Sequence, residues 1–266
     1  MRFRRLLIVI VVCAAAALPG AAPAGAQAAA AIPRTADGRP NLQGIWQVRN
    51  RASYDLEDHV ARHDMPAGRG VVEGGTIPYQ PWAAKRKAEH FANRATLDPL
   101  AQCFIPGIPR IMYMEWPYHI FQTRDYVAIV FEWQQNFRII YTNGSSHPDG
   151  IEFWMGDGRG RWEGDTLVVD VANFNDKTWF DKAGNFHSEA LRLQERFTMI
   201  DPDTIRYEVT VDDPKVFTRP WKMSMNLHRH KDIDRILEYQ CKAEQSEANG
   251  AFVRDPLTWY PGKEAK

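Results

Sequence analysis

The 266-residue chain has only three cysteines and equal numbers of basic and acidic residues. Both facts limit the functional classes to which the protein can belong. Because 33 basic residues balance 33 acidic ones, nothing draws the chain electrostatically to nucleic acid or to an anionic membrane surface. The sequence also lacks a phosphate loop, a dinucleotide fingerprint, a nucleophile elbow and a zinc-protease helix. We therefore expect no nucleic-acid partner and no cofactor.

Long apolar runs are confined to the N-terminus. Three arginines in the first five residues precede an apolar stretch at 6–18, and small residues follow at 24–26. This order is typical of a secretory signal, with cleavage near Ala26. The apolar stretch is shorter than the roughly 20 residues that a spanning helix needs. The sequence therefore predicts a periplasmic or secreted protein without stable membrane insertion.

Two cysteines remain after removal of the signal, because Cys13 lies within its apolar stretch. In an oxidising compartment the simplest expectation for Cys103 and Cys241 is a disulfide. A catalytic thiol is the alternative, but no histidine or asparagine is placed near either cysteine to activate it.

The chain divides into segments of different composition. Residues 27–80 form an extended N-terminal segment rich in Ala, Gly and Pro, with a short strand candidate at 41–46. Residues 81–93 form the best helix candidate, because Pro81 suits a first helical turn. A β-rich ligand-binding or catalytic domain spans 81–245 and includes that helix. Residues 246–266 are a C-terminal tail.

The β-rich part shows apolar and polar residues in alternation, with short turns between the runs. Successive strands without intervening helices predict an all-β fold. We expect an antiparallel meander forming a lipocalin-like barrel or a sandwich, with the helix packed outside. The predicted strands cover 126–133, 137–142, 159–162, 166–173, 188–200, 204–212, 222–230 and 236–241.

Several short motifs are distinctive in combination: DPLA at 98–101 followed by Cys103, WMG at 154–156, GRWEGDTL at 160–167, FNDKTW at 174–179, HSE at 187–189, ERF at 195–197 and TRPW at 218–221. Over residues 37–245 the chain resembles a family of exported β-rich bacterial proteins of unassigned function. The resemblance implies the fold and the export, but no mechanism. Members of that family often have His where this chain has Asp157.

Two glutamates on the predicted strand 188–200 share a face with apolar residues. Side chains two apart lie on the same face of a strand, so Glu189 and Glu195 are predicted to point inward. An unpaired buried carboxylate is costly, and an inward glutamate is therefore paired, hydrated or protonated. General acids and bases arise in this way. The alternative is a structural ion pair, for example with Arg161 or Arg219.

The connection before that strand concentrates polar residues. His187 is a candidate proton-transfer group because its ordinary pKa lies near neutral pH. Glu189 is a candidate to orient it, and Asp181 and Glu195 are candidate partner carboxylates. The alternative is that the Asn and Asp residues form turns and that His187 caps a sheet edge.

Other side chains are candidates for holding a substrate. His147, Asp157 and His187 are candidates to face one pocket, with two tryptophans holding the apolar body of the molecule. His228 and His230 share a face of a predicted strand, but no third ligand is fixed by spacing, and no metal site is predicted. The candidate substrate-binding residues are His147, Trp154, Asp157, Asn175, Asp176 and Trp179.

Three functions fit these observations. The first is a cofactor-free lyase or isomerase that uses acid–base chemistry on an apolar cyclic or aromatic molecule. The second is a non-catalytic periplasmic carrier of a small hydrophobic ligand, and the third is an envelope structural module. A pocket that holds His187 and two acids favours the enzyme, an apolar cavity the carrier, and a filled core the structural module. The sequence does not determine the oligomeric state.

Overall fold

The computed structural model describes residues 31–248. The predicted signal with its cleavage near Ala26, and residues 249–266 of the predicted tail, lie outside the described residues. Within 31–248, no helix is both long and apolar enough to cross a membrane.

Nine strands form one closed barrel, which confirms the prediction of an all-β barrel. The barrel closes where the first strand pairs with the last, Gln47 opposite His228. The strands are β1 (Gly44–Val48), β2 (Tyr118–Gln122), β3 (Tyr126–Phe131), β4 (Phe137–Tyr141), β5 (Asp157–Glu163), β6 (Thr166–Ala172), β7 (Arg192–Asp201), β8 (Thr204–Asp212) and β9 (Trp221–Arg229).

One neighbouring pair departs from the expected antiparallel meander. β4 and β5 run parallel, and they share only the pairs Ile140 with Gly158 and Tyr141 with Arg159. A parallel pair cannot be joined by a hairpin, so residues 142–156 must cross from one end of the barrel to the other. The turns 123–125, 164–165 and 202–203 lie at one barrel end. The long connections 49–117, 173–191 and 213–220 lie at the other end together with the short turn 132–136, and we call this the covered end.

Three α-helices lie outside the barrel wall: α1 (Pro81–Ala92), α2 (Arg94–Leu97) and α3 (Cys241–Ala248). Two 3₁₀ turns, Pro99–Gln102 and Arg110–Tyr113, belong to the same covering layer. The predicted outer helix is confirmed, with Pro81 in its first turn and Ala83 as its buried residue.

Three predicted boundaries differ from the structure. The barrel does not begin at residue 81, because the N-terminal segment supplies β1. The predicted strand 236–241 is wrong, since only a single bridge joins Tyr239 to Trp133 and α3 begins at Cys241. The strand predicted from Ser188 begins instead at Arg192, because a turn bonds the Leu191 amide to the Ser188 carbonyl.

Large side chains occupy the interior of the barrel. They alternate along the strands with outward-facing residues, as the period of two requires. Two charged residues, Arg138 and Glu195, are buried among them. The buried inward aromatic residues are Trp46, Tyr118, Phe131, Phe197, Tyr207 and Trp221.

The predicted disulfide between Cys103 and Cys241 is present, with the two Cα atoms 5.6 Å apart. It joins the end of the first 3₁₀ turn to the start of α3, across a sequence separation of 138 residues. The bond therefore ties the covering layer to the segment that follows β9.

Removing this bond is expected to destabilise the protein, because it closes a long loop in the unfolded chain. The chain-entropy relation gives a loss of about 5 kcal/mol for a loop of this length. Urea unfolding of the oxidised protein and of the Cys103→Ser/Cys241→Ser variant measures it. Equal midpoints would show that the bond contributes nothing to stability.

Candidate functional site

Glu195 lies inside the barrel, as predicted, and is fully buried. Both of its oxygens pair with the Arg138 guanidinium, one at 2.9 Å from Nη1. The Tyr207 hydroxyl donates a further hydrogen bond to the same carboxylate at 2.5 Å. The partner is Arg138 rather than the expected Arg161 or Arg219, because β4 turns Arg138 inward. The catalytic role of Glu195 stays a prediction.

His187 is buried, and both of its ring nitrogens are hydrogen-bonded. Its Nδ1 donates to the Ser188 carbonyl at 2.9 Å, so its Nε2 accepts from the Thr178 hydroxyl at 2.7 Å. Phe174 and Phe180 pack against the ring. Burial lowers the pKa of His187, which favours the neutral imidazole. This environment is that of a core histidine whose ring nitrogens are both occupied.

The prediction that Glu189 points inward beside His187 is wrong. Glu189 precedes β7, is exposed, and pairs with Lys215. The alternation of a strand does not apply there because residues 188–191 form a turn. The Asp213 carboxylate holds that turn, accepting from the Ser188 amide at 2.6 Å and its hydroxyl at 2.9 Å.

Asp181 lies within the covered end and is fully buried. Its carboxylate accepts hydrogen bonds from the Leu56 amide at 2.8 Å and from the Asn185 side chain at 2.5 Å. Burial, followed by the nearby Asp55 carboxylate, raises the pKa of Asp181 to about 7. Asp181 therefore joins the long connection after β1 to the one after β6, but it does not hydrogen-bond His187.

The other candidate residues of the connection 173–191 do not come together at one site. Trp179 is buried and stacks on His90 of α1, with ring centroids 4.4 Å apart. Asn175 is buried and forms a turn by accepting from the Lys177 amide at 3.1 Å. Asp176 is exposed. The turn-forming alternative thus describes Asn175.

A different pocket lies on the side of the barrel, where β4 extends beyond its pairing with β5. We call it the lateral pocket. Its volume is about 510 Å³, which falls in the range of small-molecule sites. The crossing segment 142–156 forms one wall and β4 the other. Its lining residues include Phe137, Arg138, Tyr141, Ile151, Trp154, Asp157 and Arg159.

A histidine–carboxylate pair lies beside the lateral pocket: Asp157 lines the pocket, and His147, which is not one of the lining residues, hydrogen-bonds to it. The Nδ1 of His147 lies 2.6 Å from Oδ2 of Asp157, and Asp157 is nearly buried. Arg159 holds the same carboxylate through Nε at 2.6 Å and Nη2 at 2.8 Å. Because Asp157 accepts the Nδ1 hydrogen, the Nε2 of His147 is left as an acceptor. That nitrogen has no hydrogen-bond partner among the described residues.

Two of the predicted binding residues, Trp154 and Asp157, line the lateral pocket. A third, His147, hydrogen-bonds to Asp157, and His187 does not join them. His147, Asp157 and Trp154 belong to the crossing segment or the start of β5, and Trp154 stacks on Phe104. Sequence reasoning missed Arg138 and Arg159. The available signal was their alternation with Ile139 and with Gly158 and Gly160, which could not reveal that one strand pair is parallel.

No group of three or more His, Cys, Asp or Glu side chains within 31–248 is arranged to hold a metal ion. His228 lies on β9, opposite Gln47 of β1, and His230 follows the strand. The titratable and charged groups at or beside the lateral pocket include the His147 imidazole, the Asp157 carboxylate and the Arg159 guanidinium.

Replacing only one partner of the Arg138–Glu195 ion pair is expected to lower the free energy of unfolding far more than replacing both partners. Glu195→Leu leaves the Arg138 guanidinium buried without a partner, at a cost of about 3–5 kcal/mol. Glu195→Leu combined with Arg138→Met is expected to recover at least half of that loss. Urea unfolding of the three proteins measures it. A double variant as unstable as the single one would contradict the pairing.

The raised pKa of Asp181 predicts a pH-dependent stability. The folded state holds this proton more tightly than the unfolded chain, whose pKa is near 3.8. The wild type should therefore lose stability as pH rises from about 4 to about 7, by at most about 4 kcal/mol. Asp181→Asn removes this component, and unfolding at pH 4–8 tests it against the exposed control Asp176→Asn. Parallel profiles for the wild type and Asp181→Asn would contradict it.

Comparison of the chain with protein-family models, with curated proteins and with solved structures found no match. The family resemblance of the sequence motifs therefore stays a prediction, and the functional argument depends on the geometry of the site.

Proposed function

We propose that the protein is an exported enzyme that moves a proton on an apolar cyclic or aromatic small molecule without a cofactor, as a lyase or an isomerase. The observation that carries the proposal is the His147–Asp157 pair at an aromatic-lined pocket. A histidine held by a carboxylate, with its other nitrogen free, is a general base. The pocket volume and its apolar lining suit a molecule of one to three rings.

Each group has a distinct role in this proposal. Asp157 fixes the ring orientation and tautomer of His147 and stabilises the imidazolium that forms. Trp154, Phe137 and Tyr141 hold the apolar body of the substrate. Phe137 is 66% exposed, and a large exposed apolar side chain is typical of a ligand-binding surface. The Arg159 guanidinium, which also pairs with Asp157, lies where it can stabilise a developing negative charge.

The proposed step is a carbon-to-nitrogen proton transfer. The Nε2 of His147 takes a proton from a carbon next to a carbonyl group, and the electron pair of that C–H bond moves toward the carbonyl oxygen. In an isomerase the imidazolium returns the proton to another carbon of the same molecule. In a lyase the enolate electron pair returns to form a C=C bond, and the bond from the neighbouring carbon to the leaving group breaks. That group departs with the electron pair of the broken bond and takes the proton from the imidazolium. Both outcomes leave the enzyme unchanged.

The general base in this proposal is His147, whereas the sequence analysis named His187 and Glu189 as the candidates for proton transfer. His187 has both nitrogens occupied, and Glu189 faces solvent on the Lys215 side. Glu195 supports the pocket indirectly, because its partner Arg138 lines the lateral pocket. Export is supported by the Cys103–Cys241 disulfide, which an oxidising compartment maintains.

A carrier function is the second candidate, favoured by the exposed apolar residues at the lateral pocket. Ile151 is 51% exposed and lines it with Phe137 and Trp154. Large side chains occupy the barrel interior, so a carrier of this design would hold its ligand at the wall rather than in the lumen. The filled barrel interior is what an envelope structural module predicts, but such a module would use neither the lateral pocket nor His147.

Hydrogen exchange into a cyclic ketone tests the enzyme without a known product. We expect the protein to accelerate deuterium uptake by 2-tetralone in D₂O, measured by NMR against buffer alone. His147→Ala should lower that acceleration by about 10²–10⁴-fold, because it removes the base. Asp157→Asn should lower it and shift its pH profile. His119→Ala, on the outer face of β2, is the matched control and should behave as the wild type.

The competing functions give different results in the same experiment. Saturable binding of 2-tetralone, lost in Trp154→Leu, without any exchange above buffer would support the carrier and contradict the enzyme. Exchange unaffected by His147→Ala would place the chemistry elsewhere. Neither binding nor exchange, for 2-tetralone and for a panel of one- to three-ring ketones, would contradict both functions and leave the structural module.

A further inference from the structure

A second pocket, separate from the lateral pocket, lies over the covered end of the barrel. We call it the end cleft. Its volume is about 620 Å³, and its lining shares no residue with that of the lateral pocket. Its walls come from α2, both 3₁₀ turns, the start of α3 and the segments next to β2 and β3.

One wall of the end cleft is aromatic. The rings of Trp116, Trp133 and Tyr239 contact one another, with centroids 4.6–4.9 Å apart. Met114 extends this apolar surface. Such a wall offers planar contact to a flat ring system.

Five charged residues of the rest of the lining form ion pairs with one another. Arg110 and Asp98 form a buried two-point ion pair at 2.7 and 2.8 Å. Arg94 pairs with Asp64 in the same way, and that hydrogen-bonded arginine lowers the pKa of Asp64 to about 2. Lys182 also contacts Asp64, at 3.4 Å. The lining as a whole holds three basic and four acidic side chains, so an anionic ligand finds no excess of positive charge there.

Two buried donors in the lining lack an acceptor. The Nε of Arg110 and the Nε1 of Trp133 have no hydrogen-bond partner among the described residues. Both side chains are more than nine-tenths buried, and both residues line the end cleft. A buried donor without an acceptor costs free energy, which a ligand oxygen can recover.

The rim of the end cleft is cross-linked. The disulfide joins Cys103 to Cys241, and the Gln245 side chain donates to the Ala101 carbonyl at 2.8 Å. These links fix the position of α3 against the first 3₁₀ turn. A wall held in this way binds a ligand without a large ordering cost.

We propose that the end cleft is a second binding site, which takes a neutral planar aromatic molecule carrying a carbonyl oxygen. The aromatic wall contacts the rings, the paired charges disfavour an ionic ligand, and the carbonyl oxygen accepts from Trp133 or Arg110. This site is independent of the proton transfer proposed at the lateral pocket.

Three probes of similar size test the proposal by isothermal titration of the full chain. Coumarin is neutral and carries a carbonyl group, naphthalene has no oxygen, and 1-naphthoate is an anion. We expect coumarin to bind at least about tenfold more tightly than either of the others, since each alternative forfeits a hydrogen bond or introduces an unpaired charge. Equal affinity for naphthalene, tighter binding of 1-naphthoate, or no binding of coumarin up to its solubility limit would overturn the proposal.

A conservative variant isolates the hydrogen bond. Trp133→Phe keeps an aromatic ring and removes the indole donor, so coumarin affinity should fall about fivefold or more while naphthalene affinity is unchanged. Trp116→Leu should weaken both. Trp154→Leu, in the lateral pocket, is the matched control: it removes a ring contact proposed for that pocket, but it should leave the component of coumarin binding that depends on Trp133 unchanged. Coumarin binding that is lost in Trp154→Leu but kept in Trp133→Phe would assign the ligand to the lateral pocket and overturn the second site.

The two proposals fail separately. Ketone exchange should persist in Trp133→Phe, and coumarin binding should persist in His147→Ala. Loss of coumarin binding in His147→Ala with normal unfolding would show that the cleft is not independent, and would overturn this inference without affecting the enzyme.

Discussion

The parallel pairing of β4 with β5 is the constraint on which the functional geometry depends. Every other neighbouring pair in the barrel is antiparallel, so every other connection can turn back at the end where its strand finishes. Residues 142–156 instead must travel the height of the wall before β5 begins. Because the pairing with β5 covers only Ile140–Tyr141, residues 137–139 of β4 pair with β3 on one side and with no strand on the other. That gap and the crossing segment together make the lateral pocket.

The same constraint explains how distant residues come to share chemistry. His147 lies early in the crossing segment 142–156, and Asp157 is the first residue of β5, directly after that segment. Their hydrogen bond therefore brings the two ends of the crossing segment together. Arg138 lines the pocket and at the same time pairs with Glu195 inside the barrel. The pocket wall and the interior ion pair are one continuous structure.

At the covered end, buried polar groups hold the long connections in place. Asp181 bonds the segment after β1, Asp213 holds the turn before β7, and the Tyr113 hydroxyl donates to the Phe180 carbonyl at 2.8 Å. These bonds replace the water that the loop backbones would otherwise require. The side chains that looked most catalytic in the sequence, His187 and Asp181, serve this purpose in the structure. Charged side chains and aromatic rings instead lie together along the lateral pocket and the end cleft.

The amino-acid sequence by itself determined the class of fold. Alternation and short turn sequences identified β3, β4, β6 and β8 nearly residue for residue, because strand periodicity is a local property. The two cysteines outside the predicted signal paired as expected, since few alternatives existed. The inward position of Glu195 also followed from alternation. The strand positions and the orientation of Glu195 could be inferred from residues close together in the sequence, and the disulfide from the number of cysteines.

Only the tertiary structure decided which polar residues meet. Alternation failed at Glu189 because a turn replaces the strand there, and the turn is fixed by Asp213, 25 residues away from Ser188. The partner of Glu195 was Arg138, 57 residues away, and its identity depends on the curvature that closes the barrel. The His147–Asp157 pair exists because β4 and β5 run parallel, which no local pattern encodes. Strand direction and closure are set by burial summed over the whole barrel, and for that reason the site emerged only with the fold.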